Sequence, residues 1–179
     1  MKTVSKLITA AFTVAALFFT TNVKAQTTPA NKFDLNLGIE TGIPTGVAST
    51  FNTFILGGTV RLQYGVSNNF ALTFTTGGDH FFTKDMPGTN IRYSSFGVGP
   101  IKAGFKEFFI PNIYVGAEGG IGREVTQKGF VGGATKLLIE PGVGYANKRW
   151  DFGINYESLT GQNDNYGFVG LRVAYGFSL

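Results

Sequence analysis

The chain has 179 residues, 15% of them charged, with 26 glycines, 18 phenylalanines and no cysteine. The lack of cysteine excludes a disulfide scaffold, thiolate metal sites, a cysteine nucleophile and a lipid-modified cysteine anchor. The formal charge of +4 falls to +1 when Lys2, Lys6 and Lys24 are set aside with the leader described next, leaving 12 basic residues against 11 acidic, which argues against a nucleic-acid binder with its basic stripe.

The first 25 residues, "MKTVSKLITAAFTVAALFFTTNVKA", carry Lys2 and Lys6, an apolar core from Leu7 to Phe19, and the small-residue cleavage signal Val23-Lys24-Ala25. This is the organisation of a secretory signal peptide cleaved after Ala25. The apolar run is shorter than the roughly 20 residues a membrane-spanning helix needs. Residues 26–32 form a short polar leader, and residues 33–179 are expected to form one domain. The 154 residues left after cleavage suffice for a core of their own.

No capped segment of useful length with 3.6-residue spacing follows the leader; alternation of apolar and polar residues does. It predicts eight strands. The first, "FDLNLGIETG" (33–42), sets Phe33, Leu35, Leu37 and Ile39 against Asp34, Asn36, Gly38 and Glu40. "GTVRLQYGV" (58–66) sets Val60, Leu62, Tyr64 and Val66 against Arg61, Gln63 and Gly65. "FALTFTT" (70–76) follows. The fourth, over 93–106, is the least regular, with Ile101, Ala103 and Phe105 opposite Lys102 and Gly104.

"IYVGAEGGIG" (113–122) places Ile113, Val115, Ala117 and Ile121 opposite Tyr114, Gly116, Glu118 and Gly120. "LLIEPGVGYA" (137–146) opposes Leu137, Ile139, Val143 and Tyr145 to Glu140, Gly142 and Gly144. "WDFGINYES" (150–158) opposes Trp150, Phe152, Ile154 and Tyr156 to Asp151, Gly153, Asn155 and Glu157. The last, "YGFVGLRVAYGFSL" (166–179), has Val169, Leu171, Val173, Tyr175, Phe177 and Leu179 on one face, and Phe168, Gly170, Arg172, Ala174, Gly176 and Ser178 on the other.

Connections alternate in length. Short ones fall at 67–69, 107–112 and 147–149, and long ones at 44–53, 77–92, 122–135 and 158–165. An even number of antiparallel strands with short turns at one end and long loops at the other is the plan of an up-and-down transmembrane β-barrel. A soluble eight-stranded barrel that binds an apolar ligand also alternates, with its apolar side chains inward.

The polar face separates the two. A water-facing surface would be rich in Lys and Glu, whereas this face is built from Gly, Ala, Ser and Thr with a few charges of both signs. Small residues suit the crowded interior of an eight-stranded barrel. The charges are Asp34, Glu40, Glu118, Glu140, Asp151 and Glu157 against Arg61, Lys102 and Arg172, and buried charges persist only when paired. They are expected to form a structural network in the lumen, with the apolar face toward lipid. Tyr64, Phe70, Phe105, Tyr145, Trp150 and Phe177 fall near the short-turn ends, where an interfacial aromatic girdle would lie.

On "NIYVGAEGGIG", "PGVGYANKRWDFGINYE" and the terminal strand, the chain resembles the small outer-membrane β-barrel domain proteins of gram-negative bacteria, akin to the OmpA and OmpX barrels. The resemblance covers about Phe33 to Leu179. It implies an outer-membrane location and handling by the barrel-assembly machinery, which in the wider class reads a terminal aromatic strand. Here the last residue is Leu179 and the nearest aromatic is Phe177, a departure from that pattern.

Catalytic arrangements have little support. His80 is the sole histidine, expected in the second long loop; its neighbour Asp79 does not make a triad, which is defined by geometry. "GVGP" and "GIGR" lack the spacing and following helix of a phosphate loop. Glu140 and Glu157 read better as lumen partners of Arg61, Lys102 and Arg172 than as an acid–base pair. No metal site, cofactor or enzymatic activity is expected. The reading is an integral outer-membrane barrel with a polar, largely plugged lumen and a structural or surface-interaction role, in contact with outer-membrane lipid and with extracellular partners that the loops do not identify. A soluble periplasmic or secreted barrel and a narrow outer-membrane pore are the alternatives.

Overall fold

The computed structural model describes residues 29–85, 88, 95–126, 133–161 and 164–179. The signal peptide therefore lies outside the described residues, as do Tyr93 and parts of three expected long loops. Eight antiparallel strands close into a barrel in chain order. They are β1 (Phe33–Gly46), β2 (Asn52–Gly65), β3 (Phe70–Thr83), β4 (Phe96–Ile110), β5 (Ile113–Thr126), β6 (Thr135–Ala146), β7 (Trp150–Thr160) and β8 (Tyr166–Ser178), with one helical turn, α1 (Ala48–Phe51), between β1 and β2. The expected eight-stranded barrel is borne out.

Closure is made by β1 and β8, paired from Asp34↔Ser178 to Gly46↔Tyr166. This joint leaves neither strand as a free edge, which matters because lipid supplies no hydrogen bonds to unpaired backbone groups. The terminal strand keeps its alternation to the end because it is half of this seam; even the Leu179 N–H donates to Phe33 O at 3.0 Å.

The turns at one end are tight. Val66 N–H and Ser67 N–H both donate to Phe70 O, at 2.9 and 3.1 Å. Asn112 adopts φ 67°, a left-handed conformation that asparagine tolerates. Asn147 Oδ1 accepts from the N–H groups of Arg149 (2.9 Å) and Trp150 (3.0 Å), a side-chain turn that positions the start of β7.

At the opposite end the strands outrun the expected boundaries. β2 begins at Asn52 rather than 58, and β3 runs to Thr83 rather than 76. A register shift between Asn52 and Phe54 disturbs the alternation of β2 there. In β3 the glycine pair Gly77-Gly78 has the composition of a turn, yet both remain paired with β2. His80 consequently lies within β3, not in a loop.

Candidate functional site

The inward face organises the molecule. At the short-turn end, Phe108, Tyr114 and Ala146 form a small apolar cluster, with the Phe108 and Tyr114 rings 5.6 Å apart. At the long-connection end, Ile55, Phe81, Val98, Leu138, Leu159, Tyr166 and Phe168 pack together beneath Ala48 of α1. Charged and polar side chains fill the space between these two apolar caps.

The layer nearer the short turns is centred on Asp151 of β7. Its carboxylate is paired with Lys106 of β4 and lies 3.4 Å from Arg172 Nη1 and 4.0 Å from Arg61 Nη1. The Tyr114 hydroxyl donates to the other oxygen at 2.7 Å. Arg61 also donates through Nη2 to Glu118 Oε2 (2.9 Å) and through Nε to Thr75 Oγ1 (2.8 Å), while the Thr75 hydroxyl donates to Glu118 Oε1 (2.8 Å). Arg172 Nε donates to Thr59 Oγ1 at 3.0 Å. Directed bonds of this kind offset the cost of removing several charges from water, a cost that Coulomb attraction alone rarely recovers.

The second layer is centred on Lys102 of β4. Its ammonium is paired with Glu140 of β6 and donates to Glu157 of β7 at 2.6 Å. Asn155 bridges Glu140, at 2.5 Å, and Glu40 of β1. Asp79 of β3 is also buried on this face, and among the described residues its carboxylate accepts no hydrogen bond.

Glycines make room for these side chains. A Cβ on Gly144 would stand 2.5 Å from the Tyr114 hydroxyl oxygen, and one on Gly170 would stand 2.4 Å from Asn155 Oδ1. Both positions must stay bare for the long polar side chains to cross the bore. A small cavity of about 30 Å3 lies beside Arg61, Lys106 and Arg172, with room and polar partners enough for water.

The named residues fall as follows. Glu40, Arg61, Lys102, Glu118, Glu140, Asp151, Glu157 and Arg172 are all buried members of the two layers. Asp34 is buried near the start of β1, opposite Gln63 and Ser178. On β8, Val169, Leu171, Val173, Phe177 and Leu179 are exposed on the outer face and Tyr175 is half-buried. Lys106, Thr59 and Thr75 have no place in the charge network expected from the sequence; Tyr114 and Asn155 enter it only through the polar parity of their strands, and Asp79 is read there only as a neighbour of His80. Lys106 shares the parity of Lys102, so parity alone would have found it; Asp79 was hidden by the early end assigned to β3.

Asp79 and His80 do not form a pair. The Asp79 side chain is buried on the inner face, whereas His80 stands half-exposed on the outer face, its ring 4.6 Å from that of Phe82. Alternation along β3 sends successive side chains to opposite sides of the sheet.

Outer aromatics gather at both ends: at the long-connection end Phe54 stacks on Phe82 at 4.3 Å, and at the short-turn end four pairs are found. Trp150 meets Tyr175 at 5.2 Å, Tyr175 meets Phe177 at 5.0 Å, Phe70 stacks on Phe105 at 5.7 Å, and Phe33 lies 4.7 Å from Tyr64.

No protein-family model matches the chain, and no curated protein does. Solved structures do. The outer membrane protein Ail of Yersinia pestis, determined in a phospholipid bilayer nanodisc, superposes with a TM-score of 0.60 at 13% identity, over 82% of this chain and 99% of Ail. The N-terminal β-barrel domain of Pseudomonas aeruginosa OprF gives 0.52 at 12% identity, covering 79% and 97% of the two chains. The outer membrane protein OprG of the same species gives 0.51 at 8% identity, covering 88% and 99%. At such identities the likeness concerns architecture alone. With its closed antiparallel sheet of eight strands, the chain has the fold of the small outer-membrane β-barrels.

Proposed function

We propose that this chain is an integral outer-membrane protein of a gram-negative bacterium, exported by a signal peptide cleaved after Ala25 and serving a structural or surface-interaction role without catalysis. The observation that carries the reading is the outer face. Leu37, Ile39, Leu56, Leu72, Phe74, Ile101, Ile121, Ile139, Ile154 and Leu171 are exposed around the circumference, with Ile39 at 64%. In water such a continuous apolar belt would far exceed the few hundred Å2 tolerated on soluble monomers. In lipid it is the required surface.

The aromatic pairs around Trp150 and Phe70 fit the headgroup level, where amphipathic rings are favoured. Val169, Leu171, Val173, Tyr175, Phe177 and Leu179 form the lipid-facing side of the closing strand. Asp34, Glu40, Arg61, Lys102, Glu118, Glu140, Asp151, Glu157 and Arg172 act together as an ionic strut that holds opposite walls apart at fixed distance. A soluble apolar-ligand barrel would need an oily interior, and these side chains are charged. The two apolar caps and the ionic layers between them favour a closed lumen over a narrow pore. The proposed partners are outer-membrane lipid, the barrel-assembly machinery during biogenesis, and extracellular molecules met by the long connections.

The decisive test is detergent-dependent folding. The mature chain, beginning at Gln26 by N-terminal sequencing, is expected to fold only in detergent or lipid and to migrate differently on gels before and after boiling. A monodisperse folded species in plain buffer overturns the membrane assignment. Planar-bilayer recordings are expected to show no stepwise conductance; regular steps restore the pore reading.

A further inference from the structure

On the outer face, β6, β7 and β8 frame a trough of about 530 Å3 toward the short-turn end. Its floor includes Gly144 and Gly153, which face each other across the β6–β7 pair. Val143, Tyr145, Phe152, Ile154 and Val173 stand around it, all of them exposed. The turn between β6 and β7 closes one end of the trough: Lys148 follows Tyr145, and Arg149 precedes Phe152, by about 10 Å of extended chain. That turn is fixed in place, because Arg149 O accepts from the Gly176 N–H of β8 at 2.7 Å and Asn147 Oδ1 accepts from the Arg149 N–H at 2.9 Å.

The exposed side chains at this end carry charge of one sign among the described residues. Lys32, Lys148 and Arg149 are exposed, and none of them makes an ion pair there. The acidic side chains of the same end, Asp34, Glu107 and Asp151, are buried on the inner face. Asp151 is taken up by Lys106, Arg61 and Arg172, and Glu107 accepts from Asn69 Nδ2 at 2.6 Å. The connections from β3 to β4, β5 to β6 and β7 to β8 leave from the opposite end of the barrel. Leu179 bonds to Phe33 beside Lys32, so the argument rests on Lys148 and Arg149, which sit on a different turn.

We infer that this trough seats one anionic phospholipid, with an acyl chain along the apolar walls and the headgroup phosphate at Lys148 and Arg149. A guanidinium matches a phosphate with two parallel hydrogen bonds, and the neighbouring ammonium adds a point charge. Basic residues at a bilayer surface attract lipids of net negative charge. A zwitterionic lipid brings the same phosphate together with an ammonium of its own, which the two bases repel. Trp150 is exposed next to Arg149 and meets Tyr175 edge-on at 5.2 Å, a pair suited to headgroup depth. The inference rests on the membrane location proposed above and adds to it the class of lipid and the place where it sits.

Trp150 is the only tryptophan of the chain, so its fluorescence reports on this place alone. The test inserts the full mature chain into phosphatidylcholine vesicles that hold a minor share of phosphatidylglycerol, with bromine on the acyl chains of one lipid or of the other as quencher. Brominated phosphatidylglycerol should quench Trp150 as though enriched about 5-fold over its share of the bilayer, and brominated phosphatidylcholine should show no enrichment. Lys148→Gln combined with Arg149→Gln should bring the two lipids to parity, and so should ~1 M KCl, where the screening length falls to about 3 Å. Val143→Phe, which fills the trough and keeps both bases, should cut the enrichment by at least half. Equal quenching by the two lipids in the wild type, or an enrichment unchanged in the double variant, overturns the inference. Full enrichment in Val143→Phe overturns it as well, since the bases would then hold lipid without the trough. Heat-modifiable migration of the same vesicles reports insertion separately: an inserted chain without lipid preference sinks this inference alone, whereas a chain that never inserts takes the membrane assignment with it.

Discussion

Lys102 on β4 and Glu157 on β7 meet across the bore at 2.6 Å, although 55 residues separate them in the chain. Both are buried, so the pair ties opposite walls rather than neighbouring strands. Glu140 shares the same ammonium, and the strut therefore has one base serving two acids.

Removing that base should be costly. Lys102→Met leaves Glu140 and Glu157 buried without their cation, and breaking a buried pair from one side costs about 3–5 kcal/mol. Urea unfolding of the bilayer-inserted barrel measures it. The triple change Lys102→Met, Glu140→Gln, Glu157→Gln should recover a large part of the loss, and an undiminished stability in Lys102→Met would show that the strut carries no weight.

The two faces of β8 should respond oppositely to polarity. Val173 is exposed on the outer face and Ala174 is buried on the inner one, beside Gly38. Val173→Arg should destabilise by about 2–4 kcal/mol if the position lies near the bilayer midplane. Ala174→Ser should cost less than about 1 kcal/mol, since a small hydroxyl adds little volume in a polar interior. Equal penalties at the two sites contradict the assignment of faces.

Gly144 should tolerate no side chain. The Tyr114 ring lies across it, with Cζ 2.5 Å from where a Cβ would stand. Gly144→Ala is expected to cost about 1–3 kcal/mol by overpacking. Adding Tyr114→Ala removes the ring but not the Phe152 carbonyl oxygen, which also stands 2.5 Å from that Cβ, so the double variant should lose less than the sum of the two single changes while keeping part of the Gly144→Ala penalty; strict additivity in a double-mutant cycle would mean the two residues do not interfere.

Salt should have little effect on the lumen. Exposed ion pairs weaken as ionic strength rises, whereas buried pairs are screened far less. The difference in unfolding free energy between the wild type and Lys102→Met should be nearly the same at 0.1 and 1 M KCl. A difference that shrinks severalfold in high salt would place these charges in contact with solvent.

Period-two alternation is a local property, and the sequence by itself determined the number of strands, their two faces and the inward parity of Arg61, Lys102 and Arg172. It did so because a pleated strand turns each successive side chain to the opposite side, whatever the rest of the chain does. Strand ends were less legible: Gly77-Gly78 and the irregular start of β2 imitate loop composition, and only pairing with the neighbouring strand carries β3 through to Thr83. What the tertiary structure alone decided is which charges meet. Asn155 and Glu40 are 115 residues apart, and Arg61 and Glu118 are 57 apart. Their contacts depend on the register of every strand between them and on the closure of β1 against β8, a sum over the barrel that no local pattern contains.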